Sequence, residues 1–152
     1  MRIVPFTVSY LDDVFDIQQQ AFLPLFQKYR DSVNPYLESK DTVLRKYSRP
    51  GTFGYVFLEQ GKPVGAVRIV CKDDIHKVSA LAVLPEYQNQ GIAQRALTEI
   101  EHLHSGAETW VLDTLLQEKK NCHLYEKLGY IRTGDPVVVN ERLTLVNYIK
   151  HC

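Results

Sequence analysis

The sequence predicts an α/β chain: one domain, residues 1–152, on a mixed sheet of about seven strands flanked by about four helices. Three observations predict it. The run at residues 78–84, Val-Ser-Ala-Leu-Ala-Val-Leu, is apolar on both faces, as suits a strand buried on two sides. Pro85 ends it, a polar stretch follows, and Gly91 opens a helix-spaced apolar set of Ile92, Ala96, Ile100 and Leu103. Next, the β-rich runs at 53–59 and 63–71 join each other and the central run through short polar turns, which only antiparallel neighbours can use. Finally, a whole helix separates the central run from Trp110-Val111-Leu112, so those two strands should run parallel.

In order along the chain, residues 2–7 read as a first strand. Ser9 is a candidate N-cap for a helix at 10–20, with Leu11, Val14, Phe15 and Ile17 as its buried stripe. Pro24 should interrupt that helix. A second helix is expected at 40–47, stopped by Pro50-Gly51, and Gln60-Gly61-Lys62 is a hairpin signal between the next two strands. After the helix at 91–104 come a strand at 108–113, a helix at 119–128 ending on Gly129, a strand from Tyr130, and a strand at 142–150.

Composition removes several function classes. Eighteen basic and eighteen acidic residues cancel, and no basic stripe with interleaved aromatics supplies a nucleic-acid footprint. No apolar run approaches the ~20 residues of a membrane span, and the first residues lack a signal-peptide core, so a cytoplasmic protein without membrane attachment is expected. Cys71, Cys122 and Cys152 are scattered without metal-ligand spacing, so reduced thiols and no metal are expected. A homodimer is compatible with the sequence, which does not fix the oligomeric state.

The junction at residues 84–93 carries the chemistry. The first N–H groups of a helix have no partner inside it, and the helix dipole adds positive charge there. Gly91 has no side chain to obstruct a close approach and Ala93 almost none, so phosphate can be held on main-chain amides. The alternative is an ordinary strand–helix connection. Gln88-x-x-Gly91-x-Ala93, directly after Leu81-Ala82-Val83-Leu84-Pro85-Glu86, resembles the pyrophosphate signature Q/R-x-x-G-x-G/A of the GNAT N-acetyltransferase superfamily. Leu124-Tyr125-Glu126-Lys127-Leu128-Gly129-Tyr130 resembles the family's penultimate helix and the strand after it.

The resemblance implies a GNAT-like fold and acetyl transfer from acetyl-CoA, as co-substrate, to a primary amine of a small molecule or protein. It also implies a set of residues. Gln88, Asn89, Gln90, Gly91, Ile92 and Ala93 would wrap the pyrophosphate through their amides. Leu81, Ala82 and Val83 would pair with the peptide-like arm, with an amide near Leu81 or Ala82 steadying the thioester oxyanion. Tyr125 matches the tyrosine that commonly protonates the leaving thiolate; its alternative is a residue that only packs the arm. Many relatives carry a strand glutamate as base where this chain has Ser79. His76 has a suitable intrinsic pKa and could act through water; an exposed turn residue is its alternative, and Asp113 is a further candidate. Relatives often carry an asparagine seven positions before the tyrosine. Glu118 stands there, and Asn121, one helical turn before Tyr125, is the candidate substitute. A competing reading keeps the fold as a non-catalytic acyl-CoA-binding module. A dinucleotide oxidoreductase is disfavoured because G-x-G-x-x-G is missing.

Overall fold

A computed structural model describes all residues, Met1–Cys152. Seven strands form one sheet: β1 Arg2–Pro5, β2 Thr52–Glu59, β3 Lys62–Lys72, β4 Ile75–Val83, β5 Thr109–Leu115, β6 Ile131–Asn140 and β7 Leu143–His151. The α-helices are α1 Leu11–Tyr29, α2 Lys40–Tyr47, α3 Ile92–Leu103 and α4 Lys119–Lys127. Strand order is β1-β2-β3-β4-β5-β7-β6. Every neighbouring pair is antiparallel except β4 and β5. No helix is long and apolar enough to cross a membrane.

Local chemistry explains most boundaries. Gln60 and Gly61, both at positive φ, make the two-residue turn whose twist matches that of the flanking strands. Ser39 accepts a hydrogen bond from the Thr42 amide and caps α2. Two expectations fail. Val8–Tyr10 form a 3-10 turn, and Ser9 Oγ meets Thr7 Oγ1 at 2.7 Å, so Ser9 caps nothing and α1 starts at Leu11. Nor does Pro24 end α1, which runs through it to Tyr29. The missing proline amide costs one helical bond, but continuing the helix buries Tyr29 to 3% exposure and reaches Glu118.

The sheet separates two apolar layers. On one face α3 packs Ile92, Ala96, Leu97 and Ile100 against Val67, Ile69, Val78 and Trp110. Each large side chain buried this way is worth roughly 1.5–3 kcal/mol. Leu103, expected in this stripe, is exposed, and Leu97 occupies the core instead. On the other face Val14 of α1 and Val43 and Tyr47 of α2 cover Val56, Leu58 and Ala66.

Two features of β4 create the site. Its parallel register with β5 covers only Ile75, His76 and Lys77, after which the strands part. Opposite β3 the register slips between Ala66–Ala82 and Arg68–Ser79, so Ala80 and Leu81 share the place of one residue. Ala80 sits at φ 51°, a left-handed conformation that costs a non-glycine residue about 1–2 kcal/mol. This bulge kinks β4 and re-aims Leu81, Ala82 and Val83.

Candidate active site

Beyond Val83 the chain makes a 3-10 turn at Pro85–Tyr87, then a loop, and enters α3 with Gly91 as N-cap. Asn89 at φ 63° and Gly91 at φ 77° are both left-handed, and alternation of this kind turns successive amides toward one concavity. The N–H groups of Asn89, Gln90, Gly91, Ile92, Ala93 and Gln94 donate to no protein acceptor. Side chains brace the loop from outside. Gln88 Nε2 donates to the Val83 carbonyl (2.9 Å), and Gln90 Nε2 donates to the Glu86 carbonyl (3.2 Å). A Cβ built on Gly91 meets nothing within 4 Å, so the space in front of the helix is open.

That mouth opens into a cavity of about 410 Å³ between β4, α1, α3 and α4. Leu81, Ala82, Val83, Gln88, Asn89, Gly91, Ile92, Ala93, Asn121 and Tyr125 all line it; Gln90 does not. A second cavity, about 310 Å³, lies on the other side of the β4–β5 gap. Phe22, Leu25, Leu81, Asn121 and Tyr125 line both, so the two cavities adjoin at these side chains, and together they are termed the tunnel.

Tyr125 is 8% exposed and packs among Tyr130 and Tyr148, with ring centroids 6.0 and 6.2 Å away. Burial pushes its hydroxyl well above the ordinary tyrosine value, and the nearby Asp113 carboxylate adds to the effect. The group is therefore protonated throughout the working pH range, as a proton donor must be. The second cavity is more highly charged, with Asp31, Glu38, Lys46, Arg68 and Asp113 on its wall. Most of this charge is paired: Lys46 and Gln18 both hydrogen-bond Glu38, and Lys77 lies 3.3 Å from Asp113. Ser79 lies on the same wall, 3.5 Å from Arg68 Nη2.

His76 does not join this assembly. It pairs with Cys71 and Trp110 near the start of β4, lines neither cavity, and packs edge-on against His104 and at a tilt against Trp110, with ring centroids 5.1 Å away in each case. The bulge and the strand opening lie at the other end of β4, so His76 is too far along the strand to serve the tunnel. Nor does the exposed-turn alternative hold, because its ring is packed and its Nδ1 buried. Asp113, by contrast, does border the second cavity.

Two contributors, the Ala80 bulge and Arg68, went unread in the sequence, and a third, Glu118, was noted there without its partners. The bulge at Ala80 has no residue signal, since alanine gives no hint of a positive φ. Arg68, 6% exposed, stands 5.7 Å over the Tyr47 ring with its Nε unpartnered; a lone charge in the apolar run Val64–Cys71 was a visible mark. Glu118 accepts hydrogen bonds from Tyr29 Oη and, at 3.0 Å, from Lys28 Nζ, which ties the end of α1 to the start of α4. Burial works to raise Glu118, but these bonds and the lysine charge outweigh it and hold the carboxyl below its ordinary value.

Known proteins are similar to this chain in sequence and in fold. A family profile described as an acetyltransferase (GNAT) domain matches residues 50–132. The N-alpha-acetyltransferase 30 of Schizosaccharomyces pombe is 30% identical over 144 residues, covering 87% of this chain and 85% of that protein. Among solved structures, the ribosomal-protein-alanine N-acetyltransferase of Brucella melitensis superposes with a TM-score of 0.81 at 17% identity, covering 100% of both chains. The spermidine N-acetyltransferase of Vibrio cholerae, in complex with CoA and spermine, gives 0.79 at 15% identity, covering 99% of this chain and 94% of that one. With a family profile over residues 50–132 and a 30% identical relative matched over most of both chains, the chain belongs to the GNAT N-acetyltransferase family.

Proposed function

We propose that this chain transfers an acetyl group from acetyl-CoA directly to a primary amine. The observation that carries the reading is the pair of adjoining cavities: donor amides without acceptors at the mouth of one, the Tyr125 side chain where the two meet, and a polar cavity beyond. The amides from Asn89 to Ala93 hold the pyrophosphate, the Gln88 amide expected among them being taken by the Pro85 carbonyl, and this lets a chain of zero net charge bind a polyanion. Leu81, Ala82 and Val83 offer the parted edge of β4 to the peptide-like arm. An amide of the re-aimed Leu81–Ala82 segment faces the oxygen that gains charge at the thioester carbon. Asn121 contacts the arm from α4.

The amine arrives from the second cavity. As its nitrogen bonds to the carbonyl carbon, the C–S bond breaks, and the Tyr125 hydroxyl gives its proton to the departing sulfur. The ammonium proton leaves to water at the Asp113 wall, and Tyr125 recovers its own from solvent. With Ser79 in the strand position and His76 remote, no dedicated base is assigned, and the amine reacts in its neutral form. The three relatives are named for N-alpha-acetylation, for a ribosomal-protein alanine and for spermidine, which supports a primary amine on a protein N-terminus or a polyamine.

The test is thiol release from acetyl-CoA against a panel of free-N-terminus peptides, lysine peptides and polyamines, with the acetylated product weighed by mass spectrometry. Turnover on one class is expected. Tight acetyl-CoA binding with no acceptor in any class would overturn catalysis in favour of a binding module.

A further inference from the structure

Cys71, His76 and His104 have no ligand spacing in the sequence, but the fold brings them together at the end of the sheet remote from the tunnel. Cys71 and His76 are direct partners across the β3–β4 hairpin, so their side chains leave the same face. α3 crosses that face, and His104, its C-cap, comes down beside the pair. The Cys71 Sγ and one ring nitrogen of each histidine all lie within 4.8 Å of one another. Four-coordinate zinc sites need ligand atoms about 3.3–3.8 Å apart, a closure within reach of side-chain rotation.

Packing alone leaves something unexplained. His76 Nδ1 is buried with no hydrogen-bond partner, and buried polar atoms are rarely left so. The thiol of Cys71 is free. Around them stand Trp110, 5.1 Å from His76, and Phe53, 5.1 Å from His104, while the Tyr55 hydroxyl 2.7 Å from His104 Nε2 holds that ring in place. All three candidate ligands are only partly buried, so an ion can enter. One thiolate and two imidazoles with no carboxylate are a donor set for a thiophilic cation, not for Mg²⁺ or Ca²⁺.

We propose that Cys71, His76 and His104 form a binding site for one Zn²⁺ ion, which clamps the C-terminal end of α3 to the β3–β4 hairpin. Binding replaces the Sγ–H bond by Sγ–Zn and releases that proton to solvent, with water completing the coordination. Because the opposite end of α3 frames the anion-binding mouth, the clamp steadies that helix without touching the tunnel.

The experiment strips the full chain with a chelator and titrates it with Co²⁺, then with Zn²⁺ in competition. One equivalent of Co²⁺ should bind with a thiolate charge-transfer band in the near ultraviolet, and Zn²⁺ should displace it and raise the melting temperature. Cys71→Ser should abolish the band and weaken Zn²⁺ binding about hundredfold or more, beyond what losing an outer-shell partner costs. His76→Gln should weaken binding similarly, which covers the case in which Cys71→Ser does not fold. The double variant Cys152→Ser/His151→Gln, which removes the exposed thiol and its neighbour, should bind as the parent does. No thiolate band in the parent chain, or a band that survives Cys71→Ser and disappears with the Cys152 variant, would overturn the assignment.

Discussion

Replacing Tyr125 by phenylalanine isolates one atom. The ring remains, so its packing between Tyr130 and Tyr148 is kept. The hydroxyl exchanges no hydrogen bond with another side chain, so stability should change by no more than about 0.5 kcal/mol, under ~2 °C in Tm. Catalysis should change far more. A positioned proton donor is worth about 10²–10⁴ in rate, or ~2.7–5.5 kcal/mol. Thiol release under saturating acetyl-CoA should therefore fall at least a hundredfold, while the Kd for acetyl-CoA by calorimetry stays within about threefold, since the pyrophosphate grip is remote from the hydroxyl. A turnover number within threefold of the parent would refute the acid role. So would a loss confined to Kd, which would make Tyr125 a packing residue.

Other perturbations read other parts of the account. Gly91→Val places a side chain in open space at φ 77°; backbone strain should cost the fold about 1–2 kcal/mol of stability, while acetyl-CoA affinity falls more than tenfold by calorimetry. Ala80→Gly relieves the left-handed strain in β4 but loses chain entropy; a net gain of about 0.5–1 kcal/mol should raise Tm by ~1–4 °C. Glu118→Gln should destabilise the chain at neutral pH. Because the folded carboxyl is held below its unfolded value, its contribution is complete above the unfolded value and lost as pH falls through the folded one. The Tm gap between parent and variant should thus close below about pH 4.5, and a gap independent of pH would contradict the Tyr29–Glu118–Lys28 tie.

How far the sequence could be read follows from the range of the interactions involved. The Gln60-Gly61 turn, the span of α2 at residues 40–47 and the Gly91 helix start are local decisions, and each sits where its residues predict. The strand–loop–helix path around residues 84–93 was legible for the same reason, since Pro85 and Gly91 set it locally. Pro24 misled because local cost was weighed without the distant Glu118, which repays the extended helix through Tyr29. His76 misled in a related way: nearness along β4 does not put a side chain at the gap when the gap opens beyond Lys77. The Ala80 bulge depends on how β3 and β4 slip past each other, which no property of alanine foretells. Cys71, His76 and His104 meet only through the hairpin register and the landing of α3, so their spacing gave nothing.

The claim on which the rest depends is that bare amides at the start of α3 hold a pyrophosphate. The most direct measurement is a crystal structure of the chain with coenzyme A. Phosphate oxygens should stand about 2.7–3.2 Å from several backbone nitrogens of residues Asn89 to Ala93. Finding those nitrogens bonded to the protein's own carbonyls, with the phosphates on lysine and arginine side chains elsewhere, would contradict it.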